Sequence, residues 1–175
     1  MGYEPILRRP RRPYRQIERR YVVEYVLNRY PRALLRMFNV RLGIPTPIKA
    51  GKASMAEYRV AKLWAPFADA IVVLDNEIRV IETKIRYPRH GIGALKDYVR
   101  RVPETPTLQK YLPNRNIIGV LVTPLYDPDI ERTCKLEGIV YDVYTPCWVL
   151  EYMVEVKLLP YSEYIRMLEE NKCIR

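Results

Sequence analysis

The sequence predicts an α/β fold, a mixed sheet sandwiched between helices, and three observations carry that reading. A run with helical period opens near residue 15. Two short apolar runs, Ala70–Leu74 and Ile78–Ile85, flank the turn-forming tripeptide Asp75-Asn76-Glu77. A β-branched stretch, Ile117–Val122, reads as a strand buried on both faces.

Each element follows in order. Met1–Tyr14 contains Arg8-Arg9-Pro10-Arg11-Arg12-Pro13, whose prolines keep it from being helical throughout, so it reads as an extended basic arm. From about Arg15, residues Ile17, Tyr21, Tyr25 and Asn28 recur on one helix face, with Val22, Val26 and Arg29 beside them. Pro31 suits the first turn of a second helix, Arg32 to about Leu42, that Gly43 ends. Ile44–Ser54 is a loop. Tyr58–Trp64 is expected as a first strand, with Ala70–Leu74 and Ile78–Ile85 as the next two. Leu95, Tyr98, Val99 and Val102 predict a helix over Gly93–Val102, and the prolines of Pro103–Asn114 a loop. After the strand Ile117–Val122 come a helix, Pro128–Leu136, and a strand, Ile139–Tyr144. Trp148–Leu159 is expected to be extended, and Ser162–Asn171 to be a closing helix capped by Ser162. The order is α-β-β-β-α-β-α-β. It divides into the arm, 1–14, and one domain, 15–175, with a core of about 15–122 and an extension of 123–175.

Composition narrows the function. At 175 residues the chain is the size of one ordinary domain. No apolar run approaches the ~20 residues of a membrane span, and the arginine-rich beginning lacks the apolar stretch of a signal peptide, so a cytoplasmic protein without a membrane partner is expected. Residues 1–60 hold 14 Lys and Arg against 4 acids, while residues 61–175 hold 16 against 16. The whole formal charge of +10 therefore sits in the first third of the chain and points to a polyanionic partner. Three cysteines, Cys134, Cys147 and Cys173, form no CxxC pair and read as small buried hydrophobes, with one bridge open to a thermophile's cytosol. The single histidine, His90, leaves little for a His-based zinc or Ser-His-Asp site and reads as a solvated loop residue.

Chemistry concentrates in Asp69 and the segment Ile81-Glu82-Thr83-Lys84-Ile85. Asp69 heads one strand, and Glu82 and Lys84 stand near the end of the next. Strand alternation projects Glu82 and Lys84 from one face and Thr83 from the other. Two carboxylates meeting at a hairpin can hold one Mg²⁺, which keeps waters and borrows oxygens from a phosphate. A lysine beside them can reach the attacking water or the scissile phosphate, which makes a minimal phosphodiester hydrolysis site. The (D/E)xK pattern also occurs at Glu155–Lys157 and Glu170–Lys172, and Asp142 precedes Glu155 by the same interval as Asp69 precedes Glu82. Context favours the first set, because a helix precedes it, a turn divides it, and a helix and a buried strand follow it.

These residues resemble the PD-(D/E)xK nuclease superfamily. The resemblance covers roughly Arg15 to Val122 and implies a restriction-endonuclease-like α-β-β-β-α-β core with a mixed central sheet flanked by helices, here with a C-terminal strand and helix extension. It implies Asp69 and Glu82 as metal ligands, the Thr83 carbonyl as a further ligand, and Lys84 as the motif lysine. It implies Mg²⁺, or Mn²⁺ in its place, as cofactor, and DNA as the substrate. Members similar to archaeal Holliday-junction resolvases add a glutamate from the first helix, for which Glu18 is the best match and Glu24 the second. Many members act as homodimers. Together with a composition rich in Pro, Tyr, Arg and Ile, the resemblance implies a thermophilic archaeon or its virus as the source. Ala68 stands where the motif proline would be, and Ala94 where the RecB-type subgroup places a glutamine before the helix tyrosine, here Tyr98.

DNA contacts are expected from Arg8, Arg9, Arg11, Arg12 and Arg15 in the basic region, which can track phosphates with little sequence information. Lys62, Arg86 and Arg89, close in sequence to the acids, are expected to add to them. A second reading from another class is a catalytically inactive nuclease-fold protein that binds nucleic acid or serves as a virion or structural component.

Overall fold

The computed structural model describes residues 14–43, 54, 56, 65–171 and 173. The expected first strand, Tyr58–Trp64, lies outside them, as do Arg8, Arg9, Arg11, Arg12 and Lys62. Helix α1, Tyr14–Arg29, buries Ile17, Tyr21, Val22, Tyr25 and Val26, the stripe expected from its period. Its buried tyrosines reach polar partners. The Tyr21 hydroxyl donates to the Tyr144 carbonyl at 2.6 Å, and that of Tyr25 to Asp142 Oδ2 at 2.9 Å.

The segment expected as a second helix is instead strand β1, Leu35–Arg41, antiparallel to β2, Phe67–Val73. Leu, Arg and Met carry good helix propensity, but propensity is a weak prior. The backbone of β2 is buried and needs a ladder partner on this side, and β1 supplies it. Asn39 within β1 has φ 53, which no α-helix accommodates. Arg36 holds the end of α1 by donating from Nε to the Tyr30 carbonyl at 2.8 Å. Gly43, expected as a helix stop, instead turns the chain after β1 with φ 78, and its N–H donates to Thr105 Oγ1 at 2.8 Å.

Strands β2 and β3, Glu77–Thr83, form the expected hairpin, closed by the Leu74 N–H donating to the Glu77 carbonyl at 2.8 Å. Helix α2, Pro88–Arg101, begins five residues before the expected start, because Pro88 suits its first turn. Two short 3₁₀ turns, Val102–Glu104 and Gln109–Tyr111, lie in the loop that follows. Strand β4, Asn116–Thr123, pairs in parallel with β3 and with β5, Val140–Val143. Helix α3, Pro128–Leu136, matches its expected bounds, with Asp127 accepting from the N–H groups of Asp129 and Ile130.

Trp148–Leu159 departs from the extended reading: Cys147–Glu155 is helix α4, burying Val149, Leu150 and Met153. A short apolar run carries no decisive period, and docking on α1 and the sheet decides it. Helix α5, Tyr161–Glu170, starts one residue before Ser162, and Pro160 at its N-cap position makes no side-chain capping bond. Cys147 and Cys173 form a disulfide with Cα atoms 5.6 Å apart, so only Cys134 remains the small buried hydrophobe expected of all three.

The five strands lie in sequence order, β1-β2-β3-β4-β5, in one mixed sheet. On one face Ala70, Val72, Ile81, Val120 and Val122 pack with α1 and α4. On the other, Ile71, Val73, Ile78, Val80 and Leu121 pack with α2 and α3. Among the described residues no helix is long and apolar enough to cross a membrane.

Candidate active site

The β2–β3 hairpin brings two acids to the same end of the sheet. Its register pairs Ala70 with Ile81, and one further step sets Asp69 opposite Glu82. Alternation then aims both toward the face covered by α2. Asp69 Oδ2 accepts two hydrogen bonds from Thr83, from the backbone N–H and from Oγ1, each 2.8 Å. Among the described residues, neither bond uses Oδ1. Glu82 is only 4% exposed, its Oε1 lies 2.6 Å from Lys84 Nζ, and its Oε2 is buried without a hydrogen-bond partner among the described residues.

Burial, reinforced by the Asp69 charge, pushes the Glu82 carboxyl up from 4.5 to about 7 despite Lys84. Burial alone would lower the pKa of Lys84. Glu82 outweighs it, aided by Glu18 and Asp69, and holds the ammonium above the ordinary lysine range. Glu18, on α1 and partly buried, thus contributes its charge to both members of the pair. Glu24, the second match, is engaged elsewhere: it accepts from the Tyr144 hydroxyl at 3.0 Å and from Trp148 Nε1 at 2.7 Å.

Two neighbours were not legible as site residues. Gly91, in the first turn of α2, lets that helix approach closely. A Cβ there would lie 2.6 Å from Leu121 Cδ1, 3.3 Å from Lys84 Cγ and 3.5 Å from Glu82 Cγ. Tyr98, further along α2, has its hydroxyl pKa raised by burial and then by the charges of Glu82 and Asp69. The available signal for the first was a glycine just ahead of the expected helix; the second had its helical spacing and its place as the helix tyrosine of the RecB-type pattern, which Ala94 had disfavoured.

The other candidates fall at different distances from this centre. Arg86, just past Lys84, donates from Nη2 to the Tyr152 hydroxyl at 3.3 Å. Arg89 is exposed in the first turn of α2. Arg15 belongs to the first turn of α1, and Arg8, Arg9, Arg11, Arg12 and Lys62 are not among the described residues. The rival motif has another setting. Asp142 on β5 accepts from Tyr25 and pairs with Arg29 at 3.3 Å. Glu155 ends α4, and Lys157 follows it with φ 60, so no strand carries them.

The core runs α1-β1-β2-β3-α2-β4, with the acids on β2 and β3. The described residues thus form one mixed five-stranded sheet flanked by helices, an α/β fold as expected. No family model matches the chain, and no curated protein matches it at a significant level. Among solved structures it is similar to a repair endonuclease from Pyrococcus abyssi, at 18% identity and a TM-score of 0.42, over 79% of this chain and 50% of that one. It is also similar to EndoMS in apo form, at 18% identity and a TM-score of 0.42, over 73% of this chain and 46% of that one. For the EndoMS–dsDNA2 complex the identity is 18% and the TM-score 0.40, over 71% and 43% of the two chains. The chain spans half the length of the first of these and less of the other two. What the site does must therefore be read from its own side chains.

Proposed function

We propose that the chain is a Mg²⁺-dependent nuclease that hydrolyses DNA phosphodiester bonds at Asp69, Glu82 and Lys84. The observation that carries this reading is Glu82, an almost fully buried acid with one oxygen on Lys84 and the other without a partner among the described residues, opposite a second acid. A carboxylate buried in this way is costly, and strongly shifted acids in such settings mark functional sites.

The donors suit a hard cation. Among the described residues no three carboxylate, thiol or imidazole groups gather as a metal cluster. The acid pair is the side-chain donor set, as is common for Mg²⁺, which uses one or two carboxylates and completes its shell with waters and substrate phosphate. Asp69 and Glu82 would hold the ion, with the Thr83 carbonyl as a further ligand and Mn²⁺ serving in place of Mg²⁺. Bound there, the ion would polarise a phosphoryl oxygen and lower the pKa of the attacking water.

The chain's own groups do the rest. Lys84, held as an ammonium, orients the water and offsets charge developing on the phosphate rather than removing a proton. Glu18 keeps Lys84 charged and adds to the negative potential that draws the cation. Arg86, Arg89, Arg15 and Lys62, with Arg8, Arg9, Arg11 and Arg12, hold the DNA backbone without reading its sequence.

The test is cleavage of supercoiled, linear and four-way-junction DNA with Mg²⁺, Mn²⁺ or EDTA, comparing wild type, Glu82→Ala and Glu155→Ala. Metal-dependent nicking lost only in Glu82→Ala is expected. Nicking that survives Glu82→Ala would overturn the assignment, and DNA that is bound but never cut would make this a binding protein on a nuclease frame.

A further inference from the structure

Three residues past Lys84 the backbone takes an unusual turn. Tyr87 has φ 53 and ψ 56, in the left-handed region where a bulky side chain is an outlier. It gains little burial there, being 71% exposed. Its ring stacks instead on that of His90, with centroids 5.8 Å apart and planes inclined by 26°. His90 is also exposed, and its N–H donates to the Tyr87 carbonyl at 3.1 Å, so the turn that opens α2 holds both rings. An exposed aromatic pair on strained backbone adds nothing to the core, and such strain clusters where ligands are held.

The surroundings say which ligand suits it. Lys84 and Arg86 precede the pair in sequence, the exposed Arg89 lies between its two members, and the first turn of α2 contains no acid, although a helix N-terminus favours one. Positive charge beside flat exposed rings is the combination that receives a phosphate chain and stacks its bases. In an intact duplex neighbouring bases cover each other's faces, so only an unpaired or unstacked nucleotide can lie on such a surface. The Cα atoms of Lys84 and Tyr87 are at most about 11 Å apart, a few nucleotide steps along a strand.

We infer that the exposed Tyr87–His90 stack is a platform for an unpaired base beside the scissile phosphate, which makes this site selective for DNA with single-stranded or unstacked nucleotides at the cut. The inference rests on the nuclease reading and names the substrate class of that site.

Tyr87→Gly tests it, since glycine accommodates φ 53 and the variant should fold while losing the ring. Oligonucleotides of one sequence would be compared as full duplex, as single strand and with an internal unpaired stretch. In parallel, 2-aminopurine in the unpaired stretch would report stacking on the non-cleaving Glu82→Gln protein. Wild type should prefer the unpaired substrates and quench the 2-aminopurine. Tyr87→Gly should lower the unpaired-to-duplex ratio of kcat/KM by about tenfold or more, and Tyr87→Trp should restore it. A wild-type enzyme that favours full duplex, or a ratio unchanged by Tyr87→Gly, would overturn the platform while leaving the nuclease standing. A protein that neither cuts nor binds DNA would overturn both.

Discussion

Raising the pH in the absence of divalent metal should destabilise the fold through one side chain, Glu82. Its carboxyl rises from 4.5 to about 7 in the folded state, through burial and the nearby Asp69 charge. Between those values the unfolded chain releases the proton while the folded chain keeps it. Stability therefore falls as pH rises through that window, stays level above about 7 and is restored below about 4.5. The shift corresponds to about 3 kcal/mol, a large part of the margin of a small domain. Other groups titrate in the same range, so the useful quantity is the difference from Glu82→Gln, which cannot ionise. Urea unfolding of both proteins in EDTA, from about pH 5 to about pH 8, should show wild type losing about 2–3 kcal/mol relative to the variant. Mg²⁺ should narrow that gap most at the alkaline end, because it binds the deprotonated acid. A difference that stays flat across the range would refute the account of Glu82 as a buried, desolvated carboxylate.

Other perturbations separate the parts of the site. Lys84→Met should lower cleavage at least about 100-fold while leaving the Mg²⁺-induced rise in Tm, because the lysine acts on the phosphate and water rather than as a ligand. Gly91→Ala, whose Cβ would press on Leu121 and crowd Lys84 and Glu82, should cost about 1–3 kcal/mol in unfolding experiments and slow cleavage as α2 is displaced. Cys147→Ser opens a bridge of sequence separation 26 and should lower stability by about 3 kcal/mol in thermal or urea unfolding, with wild type in reductant behaving the same.

Where the sequence was legible, the information was local. The hairpin announced itself through Asp75-Asn76-Glu77 between two apolar runs, and α3 through Asp127 and Pro128 at its start. Strand alternation was enough to place Glu82 and Lys84 on one face. The errors share a cause: each concerned a segment whose partner lies elsewhere. Leu35–Arg41 has helical propensity but completes the sheet beside β2, and the apolar Cys147–Glu155 becomes a helix on docking against α1. The Cys147–Cys173 bridge needs α4 and the end of α5 to meet, which no cysteine spacing encodes.

The sequence by itself determined the chemical inventory and its order: an acid opening one strand, an acid and a lysine closing the next, and a helix on either side. Tertiary structure alone decided what those groups experience. Glu18 and Glu24 are six residues apart on one helix, about 120° apart around it, and packing chose which would influence Glu82 and which would bind Trp148. The elevated carboxyl of Glu82, the close approach that Gly91 permits and the exposed stack of Tyr87 on His90 likewise arise from contacts between distant segments. Residue order sets which groups exist, whereas desolvation and proximity, which set their chemistry, depend on the whole fold.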